Sequence, residues 1–477
     1  MVWNHFGELA ARPRPSGLEE DVRTYIIAWA EDNGLKCYRD TIGNLVVKVP
    51  GRGAGETAPT GILQGHLDMV AEKNSDSDHC FETDPIALRI KGDRLLATGT
   101  TLGADNGIGV AISLSAGEGL FPDHPPLELL FTIDEETGMS GARELDARYL
   151  SGQRLINLDA EEEGILYVGC AGGVDSVVRV PLKRQPATAG DLTVEVSLRG
   201  LKGGHSGLDI HRNRGNAMRL LSRALLRLER DGAAWQLIDF NGGSKRNAIP
   251  REATARLRVR GEMASRVPGL LTHYLAELKA LHADAEGDWS LGFDVETQDQ
   301  SPVICDADAR RLLGFIYTAP NGVLTMSSAI PGLVESSCNL GVLRTEETHA
   351  EIILCSRSSN PAALAMIPDQ IAAQAHAFGL VARQQAAYPG WQPDMASDML
   401  KITRRVFAAL ADQEPVVTAI HAGLECGLLK ETLPDCDMIS FGPTIHHAHS
   451  PDEEVSIASV GVVTKQVGAL LHALCTA

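Results

Sequence analysis

The nine cysteines, from Cys37 to Cys475, are odd in number, scattered, and include no CxxC pair. Such a set offers no ready disulfide framework and fits a reducing cytoplasm, with most thiols serving as small buried apolar groups. No apolar run approaches the ~20 residues of a membrane-spanning helix. The first residues, "MVWNHFGELAARPRPSG", lack a basic region followed by an apolar core, so no signal peptide is expected. Positive charge is also in short supply. The net charge is −19, which argues against nucleic acid or an anionic membrane as a main partner. The glycine-rich stretch "GTTLGADNGIGVAI" lacks the lysine of a P-loop and the GxGxxG spacing of a dinucleotide site.

What remains is a globular composition, 44% hydrophobic and 22% charged, over 477 residues, too many for one ordinary core. "LEEDVRTYIIAWAEDNG" (18–34) has the period of an amphipathic helix ending at Gly34. The runs "TGILQG", "LELLFTI", "RLINL", "VVTAI" and "DMISFG" are strand length, with helical stretches between several of them. That order predicts a main α/β domain with a mostly parallel sheet flanked by helices. From about residue 190 the texture changes. "LTVEVSLRG" and "ATARLRVRGE" alternate like half-exposed strands, and each is followed by a helix-period segment. After "AAYPGWQPDM" (386–395) buried-strand patterning returns. The chain therefore reads as a first part of the main domain at 1–187, an inserted α+β domain at 188–388 and a second part of the main domain at 389–477, the parts that the resemblance given below makes catalytic domain, lid and catalytic domain.

Several possible metal ligands fall at the ends of the apolar runs: His66 and Asp68 in "ILQGHLD", Glu135 and Glu136 in "FTIDEE", Asp159 in "LINLDAE", and His449 in the loop "GPTIHHAHSPDEE". Open α/β sheets build sites outside the carboxyl ends of their strands. Asp105, in the glycine-rich loop ahead of the helical "IGVAISL", adds another carboxylate. Imidazole and oxygen donors without thiolate suit zinc, manganese or cobalt. Asp105, Glu136 and Asp159 carry three negative charges, and a bridging hydroxide makes four, matching two divalent cations. If strand geometry persisted through Glu135 and Glu136, the two would face opposite sides. One could then bind metal while the other takes a proton from the attacking water.

These motifs, together with "RPSGLEEDV", "QGHLDMVAEKN", "TIDEETGMSGA", "RGLKGGHSGLDI", "KRNAIP", "ESSCNLG", "SRSS" and "HAGLECG", resemble those of the cytosolic aminoacyl-histidine dipeptidases (peptidase D, or non-specific dipeptidases). This is a branch of the co-catalytic metallopeptidases that include carnosinases. The resemblance runs essentially from end to end. It implies His66, Asp105, Glu136, Asp159 and His449 as ligands of two divalent ions, with zinc first and manganese or cobalt as alternatives. It implies Asp68 as the residue orienting His66, Glu135 as general base, and His205 as the group stabilising the oxyanion. Asn247 and Arg357 are implied to hold substrate, with Arg357 clamping its terminal carboxylate. The implied reaction is attack of a metal-bridging hydroxide on the carbonyl of an unblocked dipeptide or other short peptide, Xaa-His included. An amidohydrolase of N-acyl amino acids or γ-glutamyl substrates is the alternative, and an inactive metal-binding relative is a third reading. The resemblance also implies a possible homodimer. His421 and Glu425 of "IHAGLECG" either line the pocket or support it, and His446 and His447 receive no role.

Overall fold

The computed structural model describes residues 1–187, 191–296, 299–411 and 413–476. The chain forms two compact units. One comprises Met1–Cys170, Trp391–Ala419 and Leu424–Ala477, and the other Ala171–Gly390 with Ile420–Gly423.

The first unit is built on an eight-stranded sheet. Its strand order is Lys36–Arg39, Leu45–Val49, Leu127–Thr132, Gly61–His66, Arg154–Asn157, Asp437–Ser440, Ile165–Cys170 and Val416–Ile420. The four strands from Leu127–Thr132 to Asp437–Ser440 are parallel. Antiparallel strands extend the sheet on either side, so it is mixed, with parallel character confined to its centre. The continuous apolar runs mark those central strands because both faces are covered. Every residue of Gly61–His66 and of Leu127–Thr132 is buried. The helix Ala104–Gly117 packs on Gly61–His66 and is buried along almost its whole length.

The parallel register places Gly61 beside both Leu127 and Arg154. The carboxyl ends of three neighbouring strands therefore open at one edge. A smaller antiparallel sheet joins Ile445–His446, Glu454–Ser456, Arg94–Ala97 and Leu88–Lys91. It ties the turn containing His449 to the strand that leads into the Asp105 loop. The final helix, Ile457–Leu474, is by length and composition alone apolar enough to cross a membrane, contrary to the sequence reading. Val460, Val463, Val467, Leu470, Leu471 and Leu474 are all buried within the protein, as in a core helix.

The second unit carries a nine-stranded sheet in which eight strands follow the order Ser290–Glu296, Asp191–Arg199, Ala253–Arg260, Trp235–Gly242, Val334–Thr345, His349–Ser358, Gly172–Pro181 and Val381–Tyr388, with Gly322–Met326 paired to Val334–Thr345. All of these pairings are antiparallel. One core cluster takes alternate strand residues such as Val194, Val196 and Leu198 together with residues of the helices Ala217–Arg230, Val267–Leu281, Asp306–Thr318 and Pro361–Ala377. The expected boundary at 187/188 abuts residues 188–190, which lie outside the described residues. The second unit instead begins at Ala171, because Gly172–Pro181 pairs along its whole length with His349–Ser358. The nine cysteines are all free, and five of them are buried.

Candidate metal centre

The carboxyl edge of the central strands gathers the ligand candidates. His66 ends one strand, Asp159 follows the next by two residues, and Asp105 lies at the start of Ala104–Gly117. His66 Nε2 lies 3.1 Å from Asp105 Oδ1 and 3.2 Å from Asp159 Oδ1. His449 Nε2 lies 3.2 Å from Asp105 Oδ2 and 3.1 Å from Glu136 Oε2. Asp105 thus presents one oxygen to each of two imidazoles, and each imidazole has a second carboxylate of its own. Among the described residues, the buried Glu136 Oε1 has no hydrogen-bond partner. One donor atom from each of His66, Asp105 and Glu136 falls within 4.8 Å of the others. Two histidines, three carboxylates and an orphaned buried oxygen fit divalent cations, which satisfy such an oxygen where no hydrogen bond does.

The electrostatics agree with that donor set. Burial alone would depress His66, but Asp159, Asp105 and Asp68 outweigh it and hold its pKa well above the ordinary value. Hydrogen bonds to Asp105 and Glu136 raise His449 to about 11. Burial pushes Asp159 up to about 7, against the pull of His66 and with the push of Asp105 and Glu136. Asp105 is held below the carboxylate range because its bonds to His449 and His66 overcome burial. Imidazole ligands bind metal only when neutral, so any cation at this cluster would compete with these protons.

The Glu135–Glu136 pair does not continue the strand, which ends at Thr132. Asp134 has a positive φ of 54°, so the chain turns there. The alternation argument therefore fails in its premise. Asp68 sets the turn instead. Its Oδ1 accepts the Glu135 N–H at 3.0 Å, and its Oδ2 accepts the Glu136 N–H at 3.1 Å and the Ser16 hydroxyl at 2.7 Å. His66 Nδ1 lies 3.0 Å from the Asp68 carbonyl and 3.4 Å from its carboxylate. Asp68 thus organises both His66 and the glutamates. Burial raises Glu135 well above the ordinary carboxyl value, opposed by His66 and reinforced by Asp159, Glu425 and Glu136.

The sequence reading placed Glu425 as lining or supporting the pocket, without its partners. Glu425 is fully buried and accepts hydrogen bonds from Gln64 Nε2 and Thr132 Oγ1, both at 2.6 Å. Gln64 Oε1 in turn accepts from Asn157 Nδ2 at 2.5 Å. This chain crosses the three strands just beneath the ligands, and burial lifts Glu425 to about 8. The periodicity gave no sign of it, because Gln64, Thr132 and Asn157 lie inside apolar runs and Glu425 comes from a distant helix. Glu161 and Glu453 also face the cluster. His446 and His447 are exposed.

The other candidates belong to the second unit. His205 Nδ1 accepts the Gly207 and Leu208 N–H groups at 3.3 and 3.1 Å. Burial and the charge of Arg357 lower His205 to about 4, so the ring is neutral near pH 7 and carries its proton on Nε2. Arg357 is 6% exposed; its Nη1 donates to the Tyr388 hydroxyl at 2.9 Å, while its Nε has no acceptor among the described residues. Asn247 is exposed, and its carbonyl accepts the Ser206 N–H at 2.8 Å. His421 Nε2 lies 2.7 Å from Ser337 Oγ, in the strand position opposite Arg357.

The profile of peptidase family M20/M25/M40 matches residues 62–473. This chain belongs to that family. The cytosol non-specific dipeptidase of Escherichia coli (strain K12) is 40% identical over 460 residues, covering 96% of this chain and 94% of the relative. The crystal structure of an aminoacylhistidine dipeptidase from Vibrio alginolyticus is 41% identical, with a TM-score of 0.91, covering 99% of this chain and 96% of that one. An aminopeptidase from Bacillus cereus, 15% identical with a TM-score of 0.55 over 99% of this chain and 98% of its own, shares the fold. As a member of the M20/M25/M40 family, the protein is a peptidase with an α/β architecture of mixed sheets flanked by helices.

Proposed function

We propose that this peptidase hydrolyses unblocked dipeptides and other short peptides, including those ending in histidine, in the cytoplasm and with two divalent cations, zinc first. The carrying observation is the division of Asp105 between the His66–Asp159 and His449–Glu136 pairs. The names of the E. coli and Vibrio relatives support the substrate class. Only the family resemblance supports a homodimer.

When bound, the two cations supply Lewis-acid polarisation of a carbonyl oxygen and acidify water to a pKa of about 7. His66, Asp105 and Asp159 would hold one, and His449, Asp105 and Glu136 the other. Glu135, with its amide anchored by Asp68, takes a proton from the attacking water and passes it to the leaving amine. His205 donates from Nε2 as the carbonyl oxygen gains charge. Arg357 pairs with the substrate's terminal carboxylate, and Asn247 contacts the substrate beside it.

The test is hydrolysis of Ala-His by protein as isolated, after chelation, and after separate return of zinc, manganese or cobalt, with N-acetyl-Ala-His in parallel. Cleavage of the free dipeptide that is lost to the chelator and restored by a metal supports the proposal. Cleavage of the acetylated substrate alone would replace it with the amidohydrolase reading.

A further inference from the structure

We propose that Glu453 is a positioning residue for the metal centre, fixing the backbone at 102–105 so that Asp105 can serve both histidines. The inference rests on reading the cluster as a two-cation site. Glu453 closes the "HSPDE" segment four residues after His449 and is 2% exposed. Its carboxylate is spent on backbone amides. Oε2 accepts Leu102 N–H at 2.7 Å and Gly103 N–H at 3.0 Å, while Oε1 accepts Ala104 N–H at 2.8 Å and Asp105 N–H at 3.4 Å. These are donors at the start of Ala104–Gly117, where helix amides lack internal partners and favour negative charge.

Arg14 holds the same loop through its carbonyl side. It is also 2% exposed. Its Nη1 donates to the carbonyls of Leu67 and Asp68 at 3.0 and 3.1 Å, and its Nη2 to that of Gly103. The Gly103 peptide segment is thus gripped by an anion at its N–H and a cation at its C=O. Gly103 has a φ of +69°, and a Cβ there would come within 2.5 Å of Arg14 Nη2, so the grip requires glycine. Through Glu453 and Arg14, the segments carrying His66, Asp105 and His449 are locked to one another. Two buried charges are tolerable here because each makes several hydrogen bonds. This assigns a purpose to "RPRPS" and to the final glutamate of "HSPDE", which the catalytic roles leave unused.

Glu453→Gln separates positioning from bulk stability. A glutamine would turn an amide nitrogen toward two N–H donors, so half of the cradle would be repelled. Glu453→Asp keeps the charge but withdraws it by one methylene. The measurement is zinc affinity by competition with a chromophoric chelator, alongside circular dichroism and thermal melting, with Glu454→Gln as the neighbouring control. Outer partners of metal ligands typically control affinity by about 10- to 100-fold. A folded Glu453→Gln protein should lose at least about 10-fold at both sites together, since Asp105 is common to them, and Glu453→Asp should be intermediate. Wild-type zinc affinity with a lowered melting temperature would overturn the proposal, leaving Glu453 a merely structural role. Should Glu453→Gln fail to fold, Glu453→Asp decides by the same criterion. Failure of the wild-type protein to bind zinc would overturn the cation-site reading first, and this proposal with it.

Discussion

Asp105 is one carboxylate facing two imidazoles, and Glu135 is a buried acid beside it that faces neither as a close ion-pair partner. That difference makes the roles proposed for them separable. Glu135→Gln removes the proton acceptor without touching the His66–Asp159 or His449–Glu136 pairs. It should lower kcat by about 10²- to 10⁴-fold with zinc content unchanged by elemental analysis. Full activity in that variant would remove Glu135 from the mechanism. His421 offers a second residue-level test. Burial and then the charges of Arg357, His205 and His211 depress its pKa to about 3, against about 6.5 when unfolded. The unfolded state therefore binds the extra proton between those values, and stability falls as pH drops below 6.5. Each such histidine contributes a slope of up to about 1.4 kcal/mol per pH unit. His421→Gln should flatten the fall in denaturation midpoint between pH 6.5 and 4. An unchanged slope would show that His421 is not held neutral. The cluster of His and acidic residues was legible because they ended apolar runs. The Glu135–Glu136 geometry was not, because a positive φ at Asp134 leaves no mark on hydrophobic alternation.

The elements follow the same division between what pattern records and what pairing decides. Continuous apolar runs identified the central parallel strands, since burial on both faces removes polar alternation. The antiparallel additions at the sheet's sides carry a weaker pattern; Lys36–Arg39, for example, has no fully buried residue. Gly172–Pro181 follows the catalytic strands in sequence but pairs with His349–Ser358, a long-range choice that local periodicity does not contain. The Gln64–Glu425–Thr132 bonds stayed hidden for a similar reason, as Glu425 arrives from 361 residues away from Gln64. Ala104–Gly117 shows how an element can carry site geometry. A Cβ on Gly109 would lie 2.5 Å from Asn106 Oδ1 and 2.7 Å from the Leu158 carbonyl. Both positions adjoin candidate ligands, Asp105 and Asp159. Gly109→Ala should therefore push the helix off its seat, at about the 1–3 kcal/mol typical of overpacking, and weaken zinc binding as well. A melting-temperature loss with no change in zinc affinity would mean that helix seating and ligand placement are independent.

At the scale of the whole molecule, the net charge of −19 opposes compaction, and part of it is concentrated where dispersal in water is impossible. Asp105, Glu136 and Asp159 converge on one buried edge with Glu135 and Glu425 close behind. Burying like charges is costly unless cations meet them, and two imidazoles are a partial answer. Divalent cations that bind the folded chain and not the unfolded one stabilise it by RT ln(1 + [M]/Kd), about 2.7 kcal/mol at a hundredfold excess over Kd. Chelation should therefore lower the melting temperature and zinc, manganese or cobalt should restore it, while sodium chloride at equal ionic strength should not, since diffuse salt screens buried charges poorly. The shift should shrink sharply in Asp105→Asn, which removes the charge that both imidazoles share. A melting temperature indifferent to chelator in the wild type would mean that the cluster carries its charge without metal. Its convergence would then be explained by the two histidines alone.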